Sequence, residues 1–449
     1  MKKILFALSA LSILAIASCK KDSTEPETPT EDPNGYTLSA DITSNRTLLS
    51  GKTYTMTNMV YVKNGATLTI EAGAIIKVSK GKNALVITRG SKIMAEGTAT
   101  SPVVFTSAEG TPSYGDWGGI VMLGKASTNS AFNGTPGTGE IEGGVNNSNG
   151  DGLYGGSDDN DNSGKLKYVR IEYGGYPFQP DKELNSLTMG GVGRGTEIDY
   201  VECAYGYDDA FEWFGGTVNA KHLISYKTLD DDFDCDNGFR GTIQWAIAVR
   251  DKDRADISGS NSFEQDNDAS GSTTTPQTSP IFANVTIIGP RQDANTTINK
   301  DFKRAAHLRR NSATNIYNSI LMGYPTGILI DGSKTIANLQ GGTMDLKGII
   351  LAGMGKALDT AGAASSNFTR EMLTDIFNTS GWNNEIKDNT SDAGLANPYG
   401  VGAAFDPTPS SGSIATGGGV APKGASATTT VYRGAVAPGD TWWKGWSRF

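Results

Sequence analysis

One short segment recurs along the middle of the chain: a run of β-branched and aromatic residues that ends in glycine or a tyrosine turn. It reads KYVRIEYG at 167–174, DYVECAYG at 199–206, KHLISY at 221–226, ANVTIIG at 283–289, YNSILMG at 317–323 and KGIILAG at 347–353. The spacing is about one coil of a solenoid, lengthened where loops are inserted. Upstream the repeat takes another form, in VYVKNGATLTIEAGAIIKVS, ALVITRGSKIMAEGTATSPVVFTSA and WGGIVMLGKA. Alternating apolar residues with glycine at the corners suit parallel strands stacked coil on coil. Helical periodicity is nearly absent, and 57 of 449 residues are glycine. A β-sandwich would need Asn-Gly-type hairpins between evenly spaced strands, and those are sparse. The expected fold is all-β: a right-handed parallel β-helix over 38–354.

Residues 355–449 read differently. The segment NFTREMLTDIFNT at 367–379 has helical spacing, with Phe368, Met372, Leu373 and Ile376 able to share a face. A stretch rich in Gly, Ser, Thr and Pro from 407 to 429 leads to Trp442, Trp443, Trp446 and Phe449. A solenoid end exposes apolar core and unpaired strand edges. This segment is therefore expected to form a C-terminal cap containing a short helix, with its aromatics as cap rather than sugar platform.

The N-terminus predicts where the protein is held. Lys2 and Lys3 precede an apolar stretch from Ile4 to Ile16, and Ile16-Ala17-Ser18-Cys19 has the pattern of a lipobox. Residues 1–18 are expected to be a lipoprotein signal peptide, and Cys19 the lipidated residue that joins the protein to a membrane. Residues 19–37 then read as a disordered acidic, Pro- and Thr-rich tether. The acids after Cys19 resemble the export signals of surface lipoproteins, so the expected location is the outer membrane of a Gram-negative bacterium, at the cell surface, with the periplasmic face as the alternative. Without 1–18 the chain carries 37 basic and 48 acidic residues, a balance that argues against nucleic acid as a partner. No second apolar stretch approaches membrane-spanning length.

Only Cys203 and Cys235 remain besides Cys19. Both lie in strand-like apolar contexts and read as buried free thiols rather than a disulfide framework. His222 and His307, the only histidines, belong to no recognisable nucleophile or zinc signature.

The densest chemistry is acidic. Phe211-Glu-Trp-Phe and Phe233-Asp-Cys-Asp lie 22 residues apart, preceded by Asp208-Asp209 and by Asp230-Asp231, and Phe263-Glu-Gln-Asp follows 30 residues later. On successive rungs Phe211, Phe233 and Phe263 stack inside, while Glu212, Asp234 and Glu264 form one outward column and Phe214, Asp236 and Asp266 a second. Like charges one rung apart, ~4.8 Å, repel by roughly 3 to 4 kcal/mol at an effective dielectric of 20. The answer is a cation, raised carboxylate pKa values, splaying into solvent, or a basic neighbour. Arg309 is the expected neighbour, at the ladder position if Leu308 takes the Phe position. Calcium is the expected cofactor if a metal answers, because a hard cation selects oxygen. Asp208, Asp209, Asp230, Asp231, Asp232, Asp234 and Asp236 are its candidate ligands, with Asp232, Asp234 and Asp236 alternating onto one side. Asp159 and Asp161 form a weaker loop candidate, since Arg170 occupies the closing position of an EF-hand-like register.

Taken in order, GATLTIEAG, GTATSPVVFTSA, WGGIVMLGKA, LKYVRIEYGG, DDAFEWFGGTV, LDDDFDCDNG, SNSFEQDND and the C-terminal YRGAVAP and WWKGW resemble a family of β-helical lipoproteins of Gram-negative bacteria. The N-terminal coils are similar to those of adhesin-like and pectate-lyase-like proteins. The resemblance implies the pectate-lyase-like right-handed parallel β-helix and assigns no catalytic residue. The expected function is a non-catalytic module binding glycan or another envelope ligand on its acidic face, with Phe214 as a stacking surface. The alternative is a polysaccharide lyase or glycoside hydrolase acting on an extracellular polymer. It would use Glu212, Asp234 and Glu264 as its carboxylates, with Arg309 or Lys227 as the base of a lyase.

Overall fold

Short strands broken by glycine corners find their hydrogen-bond partners in the next coil rather than in a hairpin. The structure, a computed structural model, describes residue 1 and residues 31–179, 182–362, 367–424 and 426–449. Its strands wind into the right-handed parallel β-helix that the repeat predicts. Among the described residues one face is a ten-stranded parallel sheet. At its centre lie Leu187–Gly190, Phe211–Phe214, Phe233–Asp236, Ser260–Gln265, Phe302–Leu308 and Thr326–Asp331.

The other faces merge into one large sheet because of a repeated bend. In the early coils Lys92–Glu96 and Val103–Ser107 are separate strands, and both pair with the single strand Gly164–Glu172. That strand turns at Tyr168, whose φ is +50°. The same left-handed bend recurs at Tyr200, His222 and Trp245, each left out of the strand register. Left-handed backbone costs a non-glycine residue roughly 1–2 kcal/mol. Stacking of the released rings offsets it: Tyr168 on Tyr200 at 4.3 Å, Tyr200 on His222 at 4.2 Å and His222 on Trp245 at 5.0 Å.

The C-terminal aromatics lie on this flank, which corrects the expectation that they close an end. Trp446 meets Tyr168 and Tyr200 edge-on, and Trp442 meets His222. The tail runs back along the solenoid. Val420 N donates to Asn318, Thr428 N to Gln244, and Arg448 N to both carboxylate oxygens of Glu202 at 2.9 Å.

The end is closed instead by the helix Arg370–Phe377, capped by Thr369 and burying Leu373 and Phe377, with Phe368 beside them in the core. Met372 is exposed, against expectation, and Phe377 takes the inward place. A second helix, Ser333–Gln340, buries Ile336 and Leu339; apolar spacing does not announce it.

The ordered body begins before residue 38, since Asp32 accepts from Arg46 at 3.3 Å and the Tyr36 ring lies 5.4 Å from that of Tyr54. It also runs past 354, with Lys356–Ala361 as the last rung of the ten-stranded sheet. Cys19 and the apolar segment before it lie outside the described residues. Among the described residues no helix is long and apolar enough to cross a membrane. Cys203 and Cys235 are buried free thiols.

Candidate functional site, a carboxylate cavity on the ten-stranded face

Alternation along each short strand sends Phe211 and Trp213 inward and Glu212 outward. Parallel register repeats this, pairing Phe211 with Phe233 and Phe233 with Phe263, and Glu212 with Asp234 and Asp234 with Glu264. The corners before these strands add Asp208, Asp209, Asp230 and Asp231. One oxygen of Asp209 accepts from Asp231 N at 2.8 Å, and one of Asp231 accepts from Asn261 N. Asp209 and Asp231 thus each tie down the backbone of the next coil with one oxygen, and the second oxygen of Asp231 accepts from Asn261 Nδ2 at 3.4 Å.

That space is a cavity of about 310 Å³, lined by Glu142, Asp208, Asp209, Glu212, Asp230, Asp231, Asp234 and Glu264, with Asn185, Ser258, Arg304, His307 and Arg309. Glu142 comes from an inserted loop whose Ile141, Val145 and Tyr154 are buried against Val86, Val121 and Leu123. The acids therefore sit beneath a wall rather than splaying into solvent. Their oxygens converge in three groups within 4.8 Å: Asp208, Asp209 and Asp230; Asp209, Glu212 and Asp234; Asp231, Asp234 and Glu264.

Of the answers to such repulsion, a basic neighbour serves one end only. Arg309 pairs with Glu264 and takes Asp266 through two bonds at 2.8 and 3.0 Å, and Arg310 joins Asp266 at 2.7 Å. Among the described residues no lysine or arginine pairs with Asp208, Asp209, Glu212, Asp230, Asp231 or Asp234. Asn185 donates to Glu212, and Asn261 donates to Glu264 at 3.2 Å. Burial, reinforced by neighbouring carboxylates, pushes Asp208, Asp209, Glu212, Asp230 and Asp234 well above the usual carboxylate range. Burial likewise raises Asp231 to about 6 and Glu264 to about 8, with Asn261 and Arg309 pulling the other way. The cavity holds either protons or cations. Its clustered oxygen donors fit a hard divalent ion.

Several expectations are corrected. The register pairs Phe263 with Ala306 and Glu264 with His307, so His307, not Arg309, takes the ladder position; Arg309 falls beside Asp266. Asp232 lies one residue before the strand and turns away from the column. It forms a fully buried ion pair with Arg250 at 3.0 Å and accepts from Ser225 and Ser262. Phe214 is not a free platform, because it packs against Tyr154 at 6.2 Å. Asp236 and Asp266 lie outside the cavity, Asp266 neutralised by its arginines and Asp236 accepting from Asn237 N at 2.6 Å. Asp159 accepts from Ser127 and Arg240, and Asp161 from Ser163, so these two pin a loop rather than offering an open ligand set. Lys227 lies over the Tyr226 ring, away from the cavity.

His307 is the residue that sequence reasoning passes over. It is 5% exposed, its Nε2 meets Asp331 at 3.1 Å, and its Nδ1 has no partner among the described residues.

Comparison with known proteins agrees with this architecture. Residues 40–396 match the family model described as a pectate-lyase like beta helix domain. The chain belongs to this family. No curated protein sequence matches it. Among solved structures the pectate-lyase like domain matches a crystal structure of pectate lyase Pel9A, with 11% identity, a TM-score of 0.35, and coverage of 89% of this chain and 87% of the other.

Proposed function

We propose that this pectate-lyase like β-helix is a lipid-anchored module of the bacterial outer surface that binds glycan or another envelope ligand without cleaving it, and that calcium in the carboxylate cavity organises the binding face. The observation that carries the reading is the convergence of three carboxylate groups within 4.8 Å on successive coils, of whose seven acids Glu264 alone, among the described residues, forms an ion pair with an arginine. Asp208, Asp209, Glu212, Asp230, Asp231, Asp234 and Glu264 would hold the ion. Calcium there supplies open coordination positions for ligand oxygens. Two exposed apolar side chains adjoin lining residues in the sequence: Tyr207, next to Asp208, is 36% exposed, and Ile257, next to Ser258, is 86% exposed.

One observation favours a second reading, a polysaccharide lyase. Arg309 is committed to two carboxylates and cannot serve as a base, but His307 lines the cavity, is held by Asp331 through Nε2, and has a buried Nδ1 without a partner among the described residues.

Binding of the purified protein to a panel of neutral and uronate-containing polysaccharides, with calcium and with EGTA, tests both. Retention that requires calcium and falls at least tenfold in Tyr207→Ala, with no new reducing ends or unsaturated products, supports the module. Product formation abolished in His307→Ala would replace it with the lyase. Retention indifferent to EGTA would remove calcium from the account.

A further inference from the structure

The segment that follows the helix Arg370–Phe377 folds back against the corners of the late coils. Between residues 388–399 and the corners at 291–294 and 353–355 lies a cavity of about 580 Å³ that shares no residue with the carboxylate cavity. Its frame is fixed from both sides. Arg291 N donates to Gly323 O at 3.0 Å, Tyr399 Oη donates to Arg291 O at 3.0 Å, and Thr390 Oγ1 donates to Gln292 O. A Cβ on Gly323 would lie 2.3 Å from Arg291 O, so the two corners can meet only at a glycine.

Three charges line this space without meeting one another. Arg291 is half-buried, and among the described residues its guanidinium has neither an ion pair nor a hydrogen bond. Of the other arginines only Arg304, in the carboxylate cavity, is in that position; the rest face a carboxylate, a carbonyl or an aromatic ring. The guanidinium lies against the backbone of Gly355, where a Cβ would come 3.2 Å from Arg291 Nη1. Asp293 uses one oxygen to accept from Asn295 N and Thr296 Oγ1. Asp388 is exposed and has no partner among the described residues, and neither acid pairs with Arg291. Met354, Leu395 and Tyr399 add half-buried apolar walls. Cavities of this size hold small organic ligands. A simple anion would meet two acids here, and a simple cation an unpaired guanidinium; a ligand with both charges answers both.

We propose that this cavity binds a zwitterion, an α-amino acid or short peptide with an apolar side chain. The ligand carboxylate takes Arg291 through a charge-assisted, two-pronged pair. Its ammonium faces Asp388, and its side chain packs against Met354, Leu395 and Tyr399.

Calorimetry of the purified protein with L-leucine, L-leucyl-L-leucine, N-acetyl-L-leucine, L-leucinamide and glucose tests the assignment. At least one of the two zwitterions should bind, and the acetylated and amidated forms should each bind about tenfold or more weakly. Binding of leucine alone identifies a free amino acid as the ligand, and of the dipeptide alone a peptide. Arg291→Gln should weaken the zwitterion by about tenfold or more with an unchanged melting temperature, since the side chain it replaces makes no polar contact with the protein. Asp388→Asn should weaken the zwitterion and leave N-acetyl-L-leucine unaffected. No binding of either zwitterion, N-acetyl-L-leucine bound as tightly as leucine, affinity indifferent to Arg291→Gln, or glucose bound in its place overturns the proposal.

Discussion

Phe233 lies between rings of the coils on either side, 5.8 Å from Phe211 and 5.6 Å from Phe263, and no solvent reaches it. Replacing it with alanine removes both contacts and opens a cavity that rigid strands cannot close. Phe233→Ala should cost about 3–5 kcal/mol in urea unfolding; a cost below about 1 kcal/mol would mean that the column does not hold the coils together. Glu202 makes a prediction about pH. Burial raises its carboxyl to about 8, against the opposing hydrogen bond from Arg448 N and the charge of Arg170. From about pH 4.5 to about pH 8 the folded protein keeps a proton that the unfolded chain has released, so this group's contribution to stability drains away as pH rises. Glu202→Gln removes the drain, and its melting temperature relative to wild type should climb from pH 5 to pH 9; a constant difference would count against the assignment. The columns themselves are legible in the sequence, because the repeated Phe-acid pair marks the register even where the spacing changes from 22 to 30 residues. His307 is not, because a long insertion and a register shift between Ser260 and Asn261 hide which residue follows Glu264. Asp232 misleads for a local reason: alternation starts at Phe233, and the corner before it does not obey the two-residue period.

Among the elements, the tail has the least legible position. Its tryptophans plainly need burial, but their partners are rings released by left-handed bends at Tyr168, Tyr200, His222 and Trp245, and nothing in local sequence announces those bends. The tail therefore braces the middle coils, while the helix Arg370–Phe377 covers the end. Trp446 is fully buried, so Trp446→Ala should cost about 3–5 kcal/mol. Hydrogen exchange locates the damage. Faster exchange should appear in Gly164–Glu172, Glu197–Ala204 and Asn219–Tyr226, with the final rungs unchanged; loosening confined to the last coils would return the aromatics to an end cap.

At the scale of the whole molecule, parallel winding forces identical positions of successive coils into columns, and a column of acids is tolerable only if something answers its charge. Protonation answers it within the protein, and a bound cation answers it from outside. The two differ in what they leave for a ligand: protonated acids offer hydrogen bonds, whereas a cation offers coordination sites and ties several coils together at once. Calcium bound only to the folded state adds ~2.7 kcal/mol per site at a hundredfold excess over its dissociation constant. Removing it also restores the repulsion among Asp208, Asp209, Glu212, Asp230 and Asp234, none of which, among the described residues, forms an ion pair with an arginine. EGTA should therefore lower the melting temperature of wild type by several degrees, calcium should restore it, and magnesium should restore it less, since it gives up its waters reluctantly. The double variant Glu212→Gln, Asp234→Asn should show a smaller calcium-dependent shift than wild type, because removing two adjacent charges relieves part of the repulsion and takes ligands from two of the three groups, while Asp208, Asp209 and Asp230 remain. A wild-type melt indifferent to EGTA would mean that protons alone keep this face together.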